Sequence, residues 1–267
     1  HACGHDVHSA SLLGTAAILN ELKDEFTGTV KLIFQPGEEK LPGGASLMIK
    51  AGALDNPRPD GILGQHVFPE LAAGKVGFRS GKYMASADEI YLKVIGKGGH
   101  AAMPDRNIDP ILVASHIVVA LQQVASRRAH PTTPTVLSFG RIIGEGATNV
   151  IPDEVSLAGT FRTFDEKWRD QAHALIREIA TNTALAMGAK CELDIQKGYP
   201  FVQNDESLTE RIRSQAVEYL GQENVVDLEM RMTGEDFSFY SQILPGSFYR
   251  LGTKAGDNGE LKALHTS

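Results

Sequence analysis

The spacing of hydrophobic residues changes along the chain, and each pattern predicts a different element. Apolar residues recur at helical spacing within 8–23, which predicts a helix that Gly28 ends. The apolar run 29–34 predicts a short buried strand, because a Pro-Gly turn follows it. A second helix is expected over 45–52 and a second strand over 61–64. Helices and strands that alternate with short connections are typical of a parallel sheet covered by helices.

The middle of the chain has a different order of predicted elements. Four strands and two long helices follow one another as β-α-β-β-α-β, which is the order of a ferredoxin-like split unit. They are a strand at 89–95, a helix at 108–127, strands at 135–143 and 154–163, a helix at 167–187 and a strand at 190–196. The sequence therefore predicts an α/β protein in which a ferredoxin-like domain is inserted into a domain with a mostly parallel sheet.

The boundaries of these domains are expected where the pattern of elements changes. Residues 86–197 are assigned to the inserted domain, and residues 1–85 and 198–267 to the domain with the mostly parallel sheet. The chain opens on His1 instead of Met and stops abruptly at Ser267. We therefore expect the domain with the mostly parallel sheet to be truncated at both ends.

Charge and composition narrow the classes of function. The chain has 26 Lys and Arg against 33 Asp and Glu, a formal net charge of −7, and no basic cluster, so no nucleic acid partner is expected. No apolar run is long enough to span a bilayer, so no membrane partner is expected either. Cys3 and Cys191 are too few for a disulfide framework, which favours a reduced, cytoplasmic protein.

Three short clusters contain side chains that bind transition metals. Cys3 and His5 stand at the start of the first predicted helix, Glu38 and Glu39 follow a strand and a turn, and His66 follows another strand. Ligands bind at strand ends in α/β sheets, so these clusters could meet in the fold. Cysteine, histidine and glutamate are ligands of Zn²⁺ and similar ions, and a second glutamate could act as a base on a metal-activated water.

Each cluster also has a structural interpretation. A buried cysteine packs as a small hydrophobic residue, a pair of glutamates is usually solvated, and an isolated histidine is more often hydrogen-bonded than a ligand. The spacing does not join the clusters, because it is not a compact CxxC or HExxH pattern. On the residues alone, the metal site and the structural interpretation both remain open.

A series of longer motifs joins the clusters. In chain order these are HACGHDVHSA, LIFQPGEE, GQHVFP, GKGGHAAMP, GATNVIPDEVSLAGTFRT, TGEDFSFY and a terminal LH. Together they resemble the M20 metallopeptidase family over nearly the whole chain, and most of all its amidohydrolase branch. That branch holds hippurate hydrolases, auxin-conjugate hydrolases and N-acetyldiaminopimelate deacetylases.

The resemblance implies a site for two divalent metal ions. Cys3 matches the ligand that bridges the two ions. His5 and His66 match further ligands of one ion, and Glu39 and His265 match the ligands of the other. The cysteine ligand suits Zn²⁺, and Mn²⁺, Ni²⁺ or Co²⁺ are further expected occupants.

The resemblance also implies a reaction. A water activated by the two ions would attack the amide bond of an N-acyl amino acid or a peptide-like conjugate. Glu38 matches the general base that takes the proton of this water and delivers it to the leaving nitrogen. The expected function is therefore that of a metal-dependent amidohydrolase.

Residues 86–197 match the lid and dimerisation domain of that family. His100 resembles the histidine that reaches across a dimer into the partner's site to stabilise the oxyanion, which implies a homodimer. Asn149 and Arg162 resemble residues that hold the substrate, and the donor fork of Arg162 suits a free carboxylate. Arg162 could instead form a salt bridge at a strand edge, and Asn149 could cap a turn.

Four further polar residues stay outside the expected ligand set. Asp6 and His8 are not expected to bind metal, although Asp6 could orient His5. Glu235 and Asp236 are expected either in the wall of the site or on the surface.

Two other functions fit parts of the sequence. The first is a catalytically inactive fragment that serves as a dimerising or binding module, because family members usually carry segments before the HACGHD motif and after the terminal LH. Missing strands would expose sheet edges and apolar helix faces. The second is a cysteine hydrolase with Cys3 as nucleophile and His5 as base, although two residues on one short segment have poor geometry for that pair.

Overall fold

The computed structural model describes residues 3–255 of the chain. The α-helices in this range are α1 (His5–Glu21), α2 (Gly44–Lys50), α3 (Pro110–Gln123), α4 (Glu166–Ala186), α5 (Glu206–Leu220) and α6 (Ser238–Ser241). Short 3₁₀ turns lie at Pro104–Arg106 and Gln222–Asn224, and a π-helical turn at Val124–Arg128. None of the described helices is both long and apolar enough to cross a bilayer. The predicted ligand His265 lies outside the described residues.

Twelve strands lie within the described range. They are β1 (Ile62–Ala72), β2 (Val76–Phe78), β3 (Gly81–Met84), β4 (Asp88–Ile95), β5 (Gly99–His100), β6 (Thr135–Ile143), β7 (Val150–Ile151), β8 (Glu154–Thr163), β9 (Lys190–Lys197), β10 (Val202–Asn204), β11 (Val225–Asp227) and β12 (Gly246–Lys254). Helices and strands are mixed along the chain, so the predicted α/β class is confirmed.

Contacts between residues divide the chain into two compact units. Among the described residues, unit 1 comprises 3–84, 202–231 and 235–255, and unit 2 comprises 85–201 and 232–234. Each unit has its own sheet and its own hydrophobic core.

Unit 1 is built on a four-stranded sheet in the order β1-β12-β2-β11. The pairs β1/β12 and β2/β11 are parallel, whereas β12 and β2 are antiparallel, so the sheet is mixed. β3 and β10 form a separate antiparallel pair. The core of this unit joins residues of α2 and α6 to the strands, with Ala45, Tyr83, Phe237 and Phe248 all buried.

Unit 2 is built on an antiparallel sheet in the order β6-β8-β4-β9, and α3 and α4 contribute to a core with it. Along β4, apolar residues alternate with more polar ones, so one face of this sheet is apolar and packs in the core. Ile90, Leu92 and Val94 are buried in the core, whereas Glu89 and Tyr91 between them are exposed. Along the chain the elements of this sheet and its helices follow the order β4, α3, β6, β8, α4 and β9.

A buried cluster of charged residues connects the start of β4 to α4 in unit 2. The carboxylate of Asp88 accepts hydrogen bonds from the guanidinium of Arg169, from His173 Nε2 at 2.6 Å and from the Gly198 amide at 3.0 Å. Arg169 Nη1 also donates to Glu166 Oε2 at 2.8 Å. Burial alone would raise the pKa of Asp88, but the hydrogen bonds from Arg169 and His173 outweigh it and hold this pKa below its usual value.

Most of the predicted helices and strands are confirmed, and two strands have the predicted bounds, 135–143 and 154–163. The predicted buried strand at 29–34 is wrong. These residues form no strand in the structure, and Val30 and Phe34 are exposed. Burial of such a run needs a neighbouring strand, which an apolar pattern alone does not guarantee.

Candidate metal centre

The motif that begins at Cys3 is held against β1 by its glycine. Gly4 has a φ of 77°, a left-handed conformation that favours glycine, and it stands immediately before α1. A Cβ at this position would lie 2.7 Å from Val67 Cγ2, which is too close for another residue type. Gly4 therefore lets the chain turn from Cys3 into the helix, where His5 is the first helical residue.

His66 lies in β1 with an orientation set by one hydrogen bond. Its Nδ1 donates to Val67 O at 2.8 Å, so its Nε2 carries the lone pair and lies 3.4 Å from Cys3 Sγ. Burial lowers the pKa of His66 to about 3, which keeps the ring neutral near neutral pH. A neutral imidazole whose other nitrogen donates to a backbone carbonyl is the usual form of a histidine that binds metal.

The loop between α1 and α2 brings two carboxylates to the same place. Glu39 Oε1 lies 4.0 Å from His5 Nε2. The ligand atoms of His5, Glu38 and Glu39 lie within 4.8 Å of one another, and so do those of Cys3, His5 and His66. Because His5 is common to both groups, these residues form one continuous cluster of possible ligands.

Negative charge is concentrated in this cluster. Burial, followed by the charges of Glu39 and Glu38, raises the pKa of the Cys3 thiol to about 11. Burial and the neighbouring carboxylates also raise the pKa of Glu38 to about 7 and that of Glu235 to about 8. All three raised pKa values mean that the negatively charged forms of these side chains are disfavoured. A bound cation would favour the charged forms.

Two residues contribute to the site in ways that the sequence did not predict. Burial lowers the pKa of His8 to about 4, and its Nε2 accepts a hydrogen bond from the Val67 amide at 3.0 Å. Arg250 lies opposite His66 where β12 pairs with β1, and its charge offsets part of the carboxylate charge. His5 and His8 are three residues apart in α1, and this spacing is a local signal that could have placed His8 on the same helix face as His5. No local signal pointed to Arg250, because strand pairing alone places it.

Glu235 and Asp236 are buried in unit 1, at 6% and 0% exposure, so the surface alternative for this pair is wrong. Asp236 accepts hydrogen bonds from Gln35 Nε2 at 2.8 Å and from the Ala45 amide at 2.9 Å. Both acidic residues line a cavity of about 410 Å³ together with residues of α1 and β1 and of the loop before α2. Glu235 and Asp236 therefore form part of the wall of the site, which is one of the two positions that the sequence analysis expected for them.

The remaining predicted site residues within the described range lie in unit 2. His100 pairs with Val150 in the short ladder of β5 and β7, and the Asn149 carbonyl accepts a hydrogen bond from the Ala101 amide at 3.0 Å. This ladder brings His100 and Asn149 together, and both are exposed. Arg162 lies in β8 and is half-buried, and burial lowers the pKa of its guanidinium.

The residues of unit 1 fit a divalent metal ion of the Zn class. They offer a thiol, two imidazoles and two carboxylates in two groups of close ligand atoms that share His5. The tautomer of His66 leaves its free nitrogen directed at Cys3, as metal binding requires. The raised pKa values of Cys3 and Glu38 indicate a surplus of potential negative charge that a cation would balance.

Comparison with known proteins gives consistent matches. The sequence profile of peptidase family M20/M25/M40 matches residues 1–265. The chain is 40% identical over 270 residues to the IAA-amino acid hydrolase ILR1-like 4 of Arabidopsis thaliana, covering 100% of this chain and 61% of that protein. It is 40% identical over 253 residues to the N-acetyl-L-cysteine deacetylase of Bacillus subtilis (strain 168), covering 95% of this chain and 60% of that protein.

A solved structure matches over the same length. A dinuclear metal binding peptidase of the M20 family from Bacillus subtilis has a TM-score of 0.78 and 36% sequence identity, covering 100% of this chain and 66% of that one. The chain spans about 60% of the length of the two curated relatives.

Proposed function

Because the chain belongs to peptidase family M20/M25/M40, we propose that it carries the catalytic metal site of a metal-dependent amidohydrolase. Its substrates are small N-acyl amino acids or peptide-like conjugates, and the products are a carboxylic acid and an amino acid. The observation that carries this proposal is the cluster of Cys3, His5, His66, Glu38 and Glu39, whose ligand atoms converge from three separate segments.

The chain's own residues divide the work of holding two ions. Cys3 would be shared by the two ions, with His5 and His66 as further ligands of one ion and Glu39, which lies near His5, as a ligand of the other. His265 is the remaining proposed ligand. Two bound cations, for which we propose Zn²⁺ or Mn²⁺, supply Lewis-acid polarisation of the amide carbonyl and activation of water.

Glu38 is the proposed general base. Burial raises its pKa to about 7 in the metal-free chain, and bound cations would favour its carboxylate form, which is the form that takes a proton. In the proposed reaction a Glu38 carboxylate oxygen accepts a proton from the attacking water and then delivers it to the amide nitrogen. This transfer is needed because an unprotonated amine is a poor leaving group. His66, which burial keeps neutral, does not compete for that proton.

A cysteine nucleophile is less compatible with the same geometry. The pKa of the Cys3 thiol is about 11, so the reactive thiolate would be scarce near neutral pH. The imidazole within hydrogen-bonding distance of Cys3 Sγ is that of His66 and not that of His5, the base of the cysteine-hydrolase alternative, and burial lowers the pKa of His66 to about 3, which makes it a weak base. Both values favour Cys3 as a metal ligand over Cys3 as a nucleophile.

Unit 2 supplies the proposed substrate-binding and oxyanion residues. We assign His100 to oxyanion stabilisation across a homodimer, and Asn149 and Arg162 to the substrate. Exposure of His100 and Asn149 on one ladder leaves both side chains accessible to a second subunit or a ligand. Arg162 presents a planar fork of donors suited to the free carboxylate of an N-acyl amino acid. We propose that residues 86–197 form a ferredoxin-like lid and dimerisation domain. We also propose that the protein is cytoplasmic.

The test combines metal content with hydrolysis. After dialysis against Zn²⁺ or Mn²⁺, elemental analysis of the chain is expected to give about two ions, and Cys3→Ser to lower that number. With N-acetyl amino acids as substrates, Glu38→Gln should lower kcat by about 10²- to 10⁴-fold. The variant should keep its bound metal, because the substitution removes the general base but no metal ligand. The matched control is Glu218→Gln on the exposed face of α5, which should hydrolyse at the wild-type rate.

Two results would contradict the proposal. A folded chain without bound metal would remove the metal site. A chain that binds two ions but hydrolyses no N-acyl amino acid would favour a binding or dimerising module instead.

A further inference from the structure

One buried carboxylate is bonded to both ends of the loop that carries Glu38 and Glu39. Asp236 is completely buried, and its Oδ1 accepts from Gln35 Nε2 at 2.8 Å, immediately before this loop begins at Pro36. Its Oδ2 accepts from the amide of Ala45 at 2.9 Å, in the first turn of α2 directly after the loop. The two oxygens of one side chain thus hold the residues that flank the loop.

The loop ends are also close to one another. The Gly44 amide donates to Gly37 O at 3.2 Å, and a Cβ on Gly44 would lie 1.6 Å from Pro36 O, so only glycine fits this crossing. Gln35 is itself oriented, because its Oε1 accepts from Tyr240 Oη at 3.1 Å. That contact leaves the amide nitrogen of Gln35 directed at Asp236.

We propose that Asp236 is a positioning residue for the metal ligand Glu39 and the general base Glu38, and that it acts by holding both ends of their loop. This inference rests on the proposed function. Residues that orient ligands commonly affect metal affinity or activity by about 10- to 100-fold when they are removed. Asp236 touches the loop through Gln35 and Ala45, so it acts through the loop and is not a catalytic residue.

The positioning role predicts an effect on one ion more than on the other. Glu39 lies in the loop, whereas Cys3 and His66 are placed by the start of α1 and by β1. Asp236→Ala should therefore weaken the binding of the ion held by Glu39 by about 10- to 100-fold. The ion held by His5 and His66 should remain bound with its affinity little changed.

The measurement is a titration of the metal-free 267-residue chain with Zn²⁺ by calorimetry and with Co²⁺ by absorption. Calorimetry gives the affinity and stoichiometry of the two binding steps, and the thiolate–Co²⁺ absorption shows that Cys3 is a ligand. Asp236→Asn should be intermediate, because its amide oxygen can still accept from the Ala45 amide. Gln35→Ala removes only the tie at the start of the loop and keeps Asp236, so it should weaken the same ion to a smaller extent.

A matched control separates positioning from general destabilisation. Thr209→Val removes the hydrogen bond from Thr209 Oγ1 to Ser247 Oγ, a buried contact of 3.0 Å in the same unit that does not touch the loop. This variant should lose stability without losing either ion. If Asp236→Ala unfolds the chain, Asp236→Asn and Gln35→Ala carry the test.

The outcomes distinguish this inference from the function on which it rests. Wild-type stoichiometry of two ions with unchanged affinity in the Asp236 and Gln35 variants would overturn the positioning role and leave the proposed function standing. Equal weakening of both ions, also seen in Thr209→Val, would assign Asp236 a purely structural role. A wild-type chain that binds no metal would overturn the proposed function and this inference with it.

Discussion

Unit 1 and unit 2 each bury a group of ionisable side chains, but the two groups differ in charge balance. In unit 2 the Asp88 carboxylate is paired with the Arg169 guanidinium and also accepts from His173 and the Gly198 amide. In unit 1 the acidic groups of Cys3, Glu38, Glu39 and Glu235 are close to one another, and Arg250 offsets only part of their charge.

The pKa shifts of the two clusters have opposite directions. Hydrogen bonds hold the pKa of Asp88 below its usual value despite burial, so the charged form is the stable one. Burial and neighbouring carboxylates raise the pKa of Glu38 and Glu235, so their charged forms are disfavoured. We infer that the cluster in unit 2 is complete by itself, whereas the cluster in unit 1 becomes complete with a cation.

The largest expected effect comes from breaking the complete cluster. Arg169→Leu would leave the buried carboxylate of Asp88 without its cation, and we expect a loss of about 3–5 kcal/mol in the free energy of unfolding. Urea denaturation measures this loss. Lys197→Ala, which removes an exposed ion pair with Asp170 in the same unit, should leave the midpoint nearly unchanged. A small effect of Arg169→Leu would mean that the cluster is not a source of stability.

The second-largest expected effect is the stabilisation of the chain when a cation binds to the cluster in unit 1. If the site in unit 1 binds Zn²⁺ as proposed, free Zn²⁺ at 100 times its dissociation constant should stabilise the chain by about 2.7 kcal/mol for a single ion. Thermal unfolding with and without Zn²⁺ measures the gain. The gain should shrink in Cys3→Ser, whereas Cys191→Ser, at the other cysteine, should keep it. An unchanged Tm with Zn²⁺ would contradict the inference that a cation completes the site.

The smallest effect is a difference in pH dependence. In the metal-free chain Glu38 and Glu235 keep protons up to pKa values of about 7 and 8, but release them near 4.5 when unfolded. The folded state therefore binds more protons in this window, and stability is lost as the pH rises from 4.5 through those values. We expect the net loss to be well below the sum of the two separate shifts, because the two groups are coupled.

Variants separate the two clusters in this experiment. Glu235→Gln should flatten the fall in stability between about pH 5 and about pH 8, because one of the two groups no longer titrates. The contribution of Asp88 has the opposite sign, since its lowered pKa supports stability until the pH falls below its usual range. If wild type and Glu235→Gln have parallel curves of Tm against pH, the carboxylates of unit 1 are not strained by burial.

Local pattern predicted the elements of unit 2 closely, because its strands and helices show their own periodicity. The strands at 135–143 and 154–163 have the predicted bounds, and α4 (Glu166–Ala186) is displaced by one residue from the predicted 167–187. Asp165 caps α4 by accepting from the Trp168 amide at 2.9 Å, which explains its earlier start.

Local pattern predicted unit 1 less well, because burial there depends on which segments pack together. The segment 29–34 has an apolar strand pattern but no paired strand among the described residues. α1 forms as predicted, yet Leu13 and Ile18 are 62% and 60% exposed. An apolar residue specifies a preference for burial, and only a neighbouring element can satisfy it.

The sequence by itself determined the chemistry of the candidate site, because side-chain type decides what a residue can bind. The motifs around Cys3, Glu39 and His66 indicated a metal-binding family before any distance was known, and the family is now established. The tertiary structure decided how those groups are oriented and balanced. Strand pairing placed Arg250 beside His66, and burial placed Asp236 between the two ends of the loop. These contacts join residues distant in sequence, and no local spacing records them.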